Sequence, residues 1–219
     1  MLAELAGISP WEIRFRNAIR PGQILPNGQI ADDTTALEAT LLSVKEEYDR
    51  NPKAGIACAM KSAGLGCGVP DFGRCRLRVK NGIVHIATSA ACVGQGLGTV
   101  LTEMVCDVTG ILPEFVIHDA ADTFYTPDSG NTSASRQTII TGEAAIRAAM
   151  QLKTALEAKT LAELEGSEYY AEFENVTDKT GSDKPHPVSC ISYSYATQMA
   201  ILGEDGIKLT LGSLQPRSI

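Results

Sequence analysis

Four stretches of the chain carry residue types and spacings that could do chemistry. Ser129-Gly130-Asn131-Thr132-Ser133-Ala134-Ser135-Arg136-Gln137-Thr138 is a run of small hydroxylated residues leading straight into an alanine-rich helical pattern. A helix start leaves backbone N–H groups without intrahelical partners, and hydroxyls with one guanidinium beside them make a cradle for a phosphate or another anion. The same run also reads as a serine-rich capping loop with Arg136 paired to a carboxylate. Gly94-Gln95-Gly96 falls between a strand pattern and an amphipathic helix. Its glycines permit a sharp turn, and the Gln95 amide offers two donors and an acceptor to a polar ligand or to solvent.

Gly64-Leu65-Gly66-Cys67-Gly68 superficially matches a phosphate loop. A dinucleotide fingerprint passes directly into a helix, whereas Val69-Pro70-Asp71-Phe72-Gly73 follows here, so the stretch reads either as a tight turn or as backbone approaching a ligand closely. His118, Asp119, Asp122 and Asp128 put an imidazole and three carboxylates within eleven residues. That set could hold a divalent cation for hydrolysis, or serve as turn formers beside Pro127 and Gly130. No Walker loop, nucleophile elbow or H-E-x-x-H signature occurs in the sequence.

Regular elements must position these residues. Ser9-Pro10-Trp11-Glu12 has the form of a capping box and predicts a short helix to about Asn17. Two prolines and two glycines between Arg20 and Ile30 predict an extended connector. Leu37, Leu41, Val44 and Tyr48 behind Asp33-Thr34 predict one amphipathic helix ended by Asn51-Pro52. Strands are expected over 55–60, 75–79 and 84–89, the last two joined by an Asn81-Gly82 hairpin turn. The pattern from Leu97 to Val108 predicts a helix stopped by Gly110, and 115–118 a strand. Ala145, Ala149, Leu152 and Leu156 mark a second long helix ending near Lys159, followed by strands over 169–173 and 188–202. The expected fold is α+β, a mixed or antiparallel sheet with helices packed on one side.

Composition bounds the function. The chain has 219 residues, 44% hydrophobic and 21% charged, enough for one generous or two small globular domains. A net charge of −7 without a basic cluster argues against nucleic acid and anionic membrane as partners. No apolar run approaches the roughly 20 residues of a membrane span, and the N-terminus lacks a basic n-region, so the expected compartment is the cytoplasm. Six cysteines without a C-x-x-C pair read as small buried residues rather than disulfides or zinc ligands.

Taken in order, the motifs resemble the molybdopterin-binding large subunit of the xanthine dehydrogenase and aldehyde oxidase family of molybdenum hydroxylases, over roughly residues 1–205. The quoted stretches are LAELAGISPWEIRFRNAIRPGQILPNGQ, the segment from Gly55 through Gly94-Gln95-Gly96 to Ile111, and, most specifically, DTFYTPDSGNTSASRQTIITGEAAIRAA. The G-x-G-x-G-V-P-D-x-G-R form at 64–74 is most similar to purine-type, xanthine dehydrogenase-like members, some of them selenium-dependent. The resemblance implies that Gln95 with Gly96, and Ser133, Ser135, Gln137 and Thr138, hydrogen-bond molybdopterin in its plain or cytidine-dinucleotide form, and that Ala134 packs beside the molybdenum. It implies oxidoreductase chemistry, hydroxylation of a purine, another N-heterocycle or an aldehyde carbon with water-derived oxygen. The implied partners are the rest of the large subunit, iron–sulfur and FAD subunits or domains, and a small heterocyclic or aldehyde substrate, with a homodimer among the assemblies.

The family's glutamate base has no counterpart, since Gly142-Glu143 lies within a helix pattern and Gly203-Glu204 precedes an Asp205-Gly206 turn. The upstream F-G-G segment is missing, and the tail departs from the family at Ile207–Ile219. The chain is therefore expected to be an internal fragment, inactive alone. Its expected division is a helix and connector over 1–30, a first molybdopterin-binding region over 31–165 and the truncated start of the next over 166–219. The alternatives from the residues alone are a cation-dependent hydrolase built on His118 and the aspartates, and a non-catalytic interaction module.

Overall fold

A computed structural model describes residues 1–133, 135–204 and 206–214. In chain order its elements are α1 (Leu2–Ala6), α2 (Pro10–Asn17), α3 (Leu37–Ser43), α4 (Lys45–Arg50), β1 (Ala54–Ala63), β2 (Asp71–Lys80), β3 (Ile83–Ala87), α5 (Leu97–Thr109), β4 (Val116–His118), α6 (Ser135–Leu156), β5 (Glu168–Asn175), β6 (Ser192–Gly203) and β7 (Gly206–Leu214). The α+β class holds, but with two sheets where one was expected. The chain forms two compact units, one of residues 1–63 with 178–219, the other of residues 64–177. The boundaries expected at 30 and 165 fall inside these units, because β1 finds its partner in β6 far along the chain while β5 returns to β2.

In the discontinuous unit, β1, β6 and β7 form an antiparallel sheet in that order. The segment from Ile207, where the family resemblance lapses, supplies β7. Ser9 caps α2, its Oγ accepting from Glu12 N at 3.0 Å, while the Glu12 carboxylate accepts from Arg16 Nε. Trp11 stacks on Phe15 and its indole N–H donates to Leu41 O at 2.9 Å inside a core with Val44, Ile56, Tyr195 and Met199. The single helix expected over 37–48 is two short ones. Val44, almost wholly buried, takes φ −107° and ψ 0° to reach this core. Asp33-Thr34 does not cap α3; Thr34 is held by Asp32 Oδ1 in a local turn. The strand expected from Val188 begins only at Ser192, because the Val188 and Cys190 N–H groups are taken by the Asp178 and Gln29 side chains.

In the contiguous unit the sheet order is β4-β3-β2-β5, with β4 parallel to β3 and the other pairs antiparallel. Asn81 and Gly82 both have positive φ, 53° and 70°, matching the type I′ turn that Asn-Gly favours between strands. Alternation along β2 sends Asp71, Gly73, Cys75, Leu77 and Val79 to the covered face, where α5 and α6 pack. Burial pushes the Cys75 thiol up to about 12. All six cysteines are free, but Cys75 alone is buried, while Cys67 and Cys92 are exposed.

The alanines of α6 let it lie close on the sheet. Ala144, Ala145, Ala148 and Ala149 are fully buried, and a Cβ on Gly73 would stand 2.3 Å from Ile140 O. Gly73→Ala is expected to force β2 and α6 apart and to lower stability by about 3 kcal/mol or more. A fallen denaturant midpoint with an unchanged slope in urea unfolding would show it.

Candidate functional site

One buried ion pair organises the loops that the sequence singled out. Arg136, in the first turn of α6, is 1% exposed and Asp71, at the start of β2, is 0%; Arg136 Nε donates to Asp71 Oδ1 at 2.5 Å. The remaining guanidinium donors reach Ser129 O (3.0 Å), Asn131 O (2.8 Å) and Phe72 O (2.6 Å). Asp71 Oδ2 accepts from Leu65 N at 2.8 Å, which fixes the glycine-rich turn, and from Asn175 Nδ2 on β5. Arg136 is thus a structural tie and not an anion receptor. Gly130 has φ +69° and lies so near the guanidinium that a Cβ there would be 2.9 Å from it.

Gly64, Gly66 and Gly68, with Cys67 between them, all have positive φ. Gly68 N donates to Thr177 Oγ1 and Val69 N to Gly66 O, so this stretch is a tight turn with its Leu65 and Gly68 N–H groups engaged within the protein.

The two remaining loops are stitched to each other. Thr132 Oγ1 accepts from Ala91 N at 3.0 Å and donates to Ala91 O at 2.9 Å. Ser129 N donates to Ser89 Oγ, and Ser129 Oγ shares a hydrogen bond with Thr141 Oγ1. Gln137 is fully buried. Its amide donates to Gly130 O, Asn131 O and Thr132 Oγ1 and accepts from Thr141 Oγ1. The Gln137 side chain therefore shapes the loop and does not face a ligand, a correction to its expected role.

Thr132–Ala91 joins the loops that lead into α5 and α6, and a Cβ on Gly142 would meet Met104 Sδ at 2.8 Å. Met104 and Gly142 each lie seven residues past their helix start, so the two helices run in the same sense. Their N-termini share one end of the unit. Parallel dipoles repel and their positive ends favour an anion there.

Gln95 is half-buried and folds back on its loop, Oε1 accepting from Val93 N at 2.6 Å and Nε2 donating to Ala91 O at 3.3 Å. Gly96 caps α5 in the left-handed region, φ 75°. Ser133 is exposed, Ser135 and Thr138 are half-buried, and Ala134 lies outside the described residues. The backbone N–H groups of Gly94, Leu97, Gly96 and Gln95 turn toward Cys92 and hold its thiol below the usual range. These donors favour negative charge at this spot, which is the donor chemistry a phosphate-bearing cofactor needs. Beside the Ser129–Asn131 loop lies a concavity of about 340 Å³ lined by Leu65, Pro70, Phe72, Asp128 and Asn131.

The cation cluster does not form. Asp119 Oδ1 meets His85 Nδ1 at 2.8 Å, Asp122 caps the turn at Phe124, and Asp128 accepts from Gly130 N. Among the described residues no group of three or more His, Cys, Asp or Glu could share a metal ion. Glu143 pairs with Arg147 on the surface of α6.

Sequence reading missed Asp71 as the partner of Arg136. A signal was present, because a cation in the first turn of a helix opposes the dipole and needs a carboxylate. For Gln137 the signal was its helical period with Ile140, Thr141 and Ala144 on the buried face.

The arrangement defines an α+β cofactor-binding module with paired helix N-termini. The family described as molybdopterin cofactor-binding domain matches residues 36–196, well over half of the chain. The chain belongs to that family. It is 31% identical over 158 residues to the aldehyde oxidoreductase of Megalodesulfovibrio gigas, covering 66% of this chain and 17% of that protein. It is 28% identical over 167 residues to a putative xanthine dehydrogenase molybdenum-binding subunit of Escherichia coli K12, covering 69% and 22%. The solved aldehyde oxidoreductase of Desulfovibrio gigas superposes with a TM-score of 0.78 at 25% identity, over 98% of this chain and 28% of that one. Quinoline 2-oxidoreductase of Pseudomonas putida shares the fold, with a TM-score of 0.65 at 19% identity over 95% and 34%. The chain thus spans about a fifth of the length of these curated relatives. Among the described residues no helix is long and apolar enough to cross a membrane.

Breaking the ion pair leaves a charge buried without its partner. Asp71→Ala is expected to destabilise by about 3–5 kcal/mol, and the paired change Asp71→Leu with Arg136→Met to recover part of that loss; chemical denaturation of the three variants measures both. Because its thiol is held low, Cys92 should be alkylated by iodoacetamide at a lower pH in the folded chain than in urea. Peptide-resolved mass spectrometry across a pH series reads the two midpoints.

Proposed function

We propose that this chain supplies two loops of a molybdopterin pocket in the large subunit of a xanthine dehydrogenase-like molybdenum hydroxylase. The observation that carries the reading is the Thr132–Ala91 junction, which brings the Gly94-Gln95-Gly96 turn and the Ser133–Ser135 segment to one pair of helix N-termini. The donor set fits a cofactor with an anionic extension. Backbone N–H groups of the 94–97 turn and the hydroxyls of Ser133, Ser135 and Thr138 would hold its phosphate or nucleotide end, in the plain or cytidine-dinucleotide form. Gln95 would exchange its two local hydrogen bonds for bonds to the pterin, and Ala134 would lie beside the molybdenum. Gln137 positions the loop from beneath.

Molybdopterin, when bound, supplies the metal centre at which a substrate carbon is oxygenated. This chain's residues bind and orient it, and no group among them is assigned as proton acceptor. The substrate class is an N-heterocycle such as a purine, or an aldehyde, in line with relatives named for aldehyde and xanthine oxidation. The remaining large subunit, with iron–sulfur and FAD subunits or domains, would complete the enzyme. A cytoplasmic location and a homodimeric assembly belong to the same reading.

In a complete subunit carrying this segment, Gln95→Ala with Ser135→Ala is expected to lower molybdenum content at least about tenfold at unchanged fold, about 1.4 kcal/mol or more of binding. Elemental analysis of purified protein, with circular dichroism as the control, measures it; full molybdenum content in the double variant would overturn the site.

A further inference from the structure

His118 was first weighed as a metal ligand, and the structure gives it different surroundings. On β4 it is half-buried and its Nε2 is enclosed with no hydrogen-bond partner among the described residues. Burial holds its imidazole below the usual range, with Asp119 pulling weakly the other way. A buried ring nitrogen without a partner costs stability, and a leucine or phenylalanine there would avoid the cost. The ring's neighbour explains its place. A Cβ on Gly98, in the first turn of α5, would stand 3.3 Å from His118 Nδ1 and 3.5 Å from its Cβ and Cγ.

Gly98 thus differs from the two glycines before it. Gly94 and Gly96 have φ of 109° and 75°, a backbone that side chains rarely adopt, whereas Gly98 has no positive φ and sits in ordinary helix. The three atoms that a side chain there would meet first all belong to His118. Just before it, Leu97 is fully buried and Val100 N donates to Gly96 O, so the first turn is rigidly joined to the 94–97 turn.

We propose that His118 is a positioning residue for the anion-favouring turn: its ring, seated against Gly98, sets where α5 begins and so where the Gly94–Leu97 N–H groups converge. The contact stands independently of any cofactor. Its importance for molybdopterin rests on the function proposed above.

Alanine at 98 decides the matter by sign. Alanine is the better helix former, so without a constraining ring Gly98→Ala would slow amide exchange at the start of α5. With the ring in place, it is expected to speed exchange over residues 93–101 about tenfold while residues 144–152 of α6 stay as they were. The iodoacetamide midpoint of Cys92 should rise in the same variant, because the N–H groups no longer converge on it. Gly98→Ala with His118→Ala, in which the methyl enters the vacated space, is expected to return both readouts most of the way to wild type. Slower or unchanged exchange in Gly98→Ala, or a double variant no nearer wild type than Gly98→Ala alone, overturns the proposal. Both measurements use the chain with nothing bound. A failed molybdenum-retention test beside intact coupling therefore defeats the cofactor reading and leaves this one standing.

Discussion

The Arg136–Asp71 pair is the constraint from which the loop geometry follows. A guanidinium in the first turn of a helix opposes the dipole and, once buried, must be neutralised and its donors satisfied. Asp71 neutralises it, and three carbonyls take its other donors. Those carbonyls come from β2 and from both ends of the Ser129–Asn131 segment, so satisfying one side chain fixes the path of an otherwise irregular loop. The second carboxylate oxygen extends the constraint to the glycine-rich turn through Leu65 and to β5 through Asn175. The loop is held from beneath, and Ser133 is left exposed.

A second layer of short polar contacts depends on the first. Gln137, Thr141, Ser129 and Thr132 form a chain of hydroxyl and amide groups that is buried at the first three and reaches the surface at the Thr132–Ala91 contact. Fully satisfied networks of this kind specify one arrangement strongly. Here the specified arrangement is the closeness of two helix N-termini, an electrostatically costly juxtaposition that the packing of Gly142 against Met104 also enforces. An anion placed between them would relieve that cost.

What was legible in the sequence was local. Ser9-Pro10 at the start of α2, Asn81-Gly82 between β2 and β3, and Gly110 at the end of α5 each act through their own φ/ψ preferences or nearest hydrogen bonds. What stayed illegible was decided by distant residues. Val44 breaks a well-patterned helix because the core around Trp11 and Tyr195 draws it in. Gln137 reads as a ligand donor in a motif of hydroxyls, yet the helical period turns it inward. His118 reads as a metal ligand beside three aspartates, and only the packing of β4 under α5 assigns it to a glycine. The family resemblance holds over residues 36–196, while which side chains of its loops face outward is decided by packing, as the burial of Gln137 shows.

The pairing of β1 with β6 bears on how such a chain assembles. Every strand pair of the 64–177 unit closes within that stretch, including β2 with β5. β1, by contrast, pairs Ala54 with Ile201 and Ala63 with Ser192, so during synthesis it stays an unpaired edge until the whole intervening unit has emerged. Bridging a long unstructured segment is slow, and a segment already folded brings its two ends together in advance. The 64–177 unit thereby becomes the linker that shortens the search of β1 for β6. Mutations that weaken the loop unit would then also lengthen the life of an exposed strand edge, and aggregation during production would reveal them before any loss of activity did.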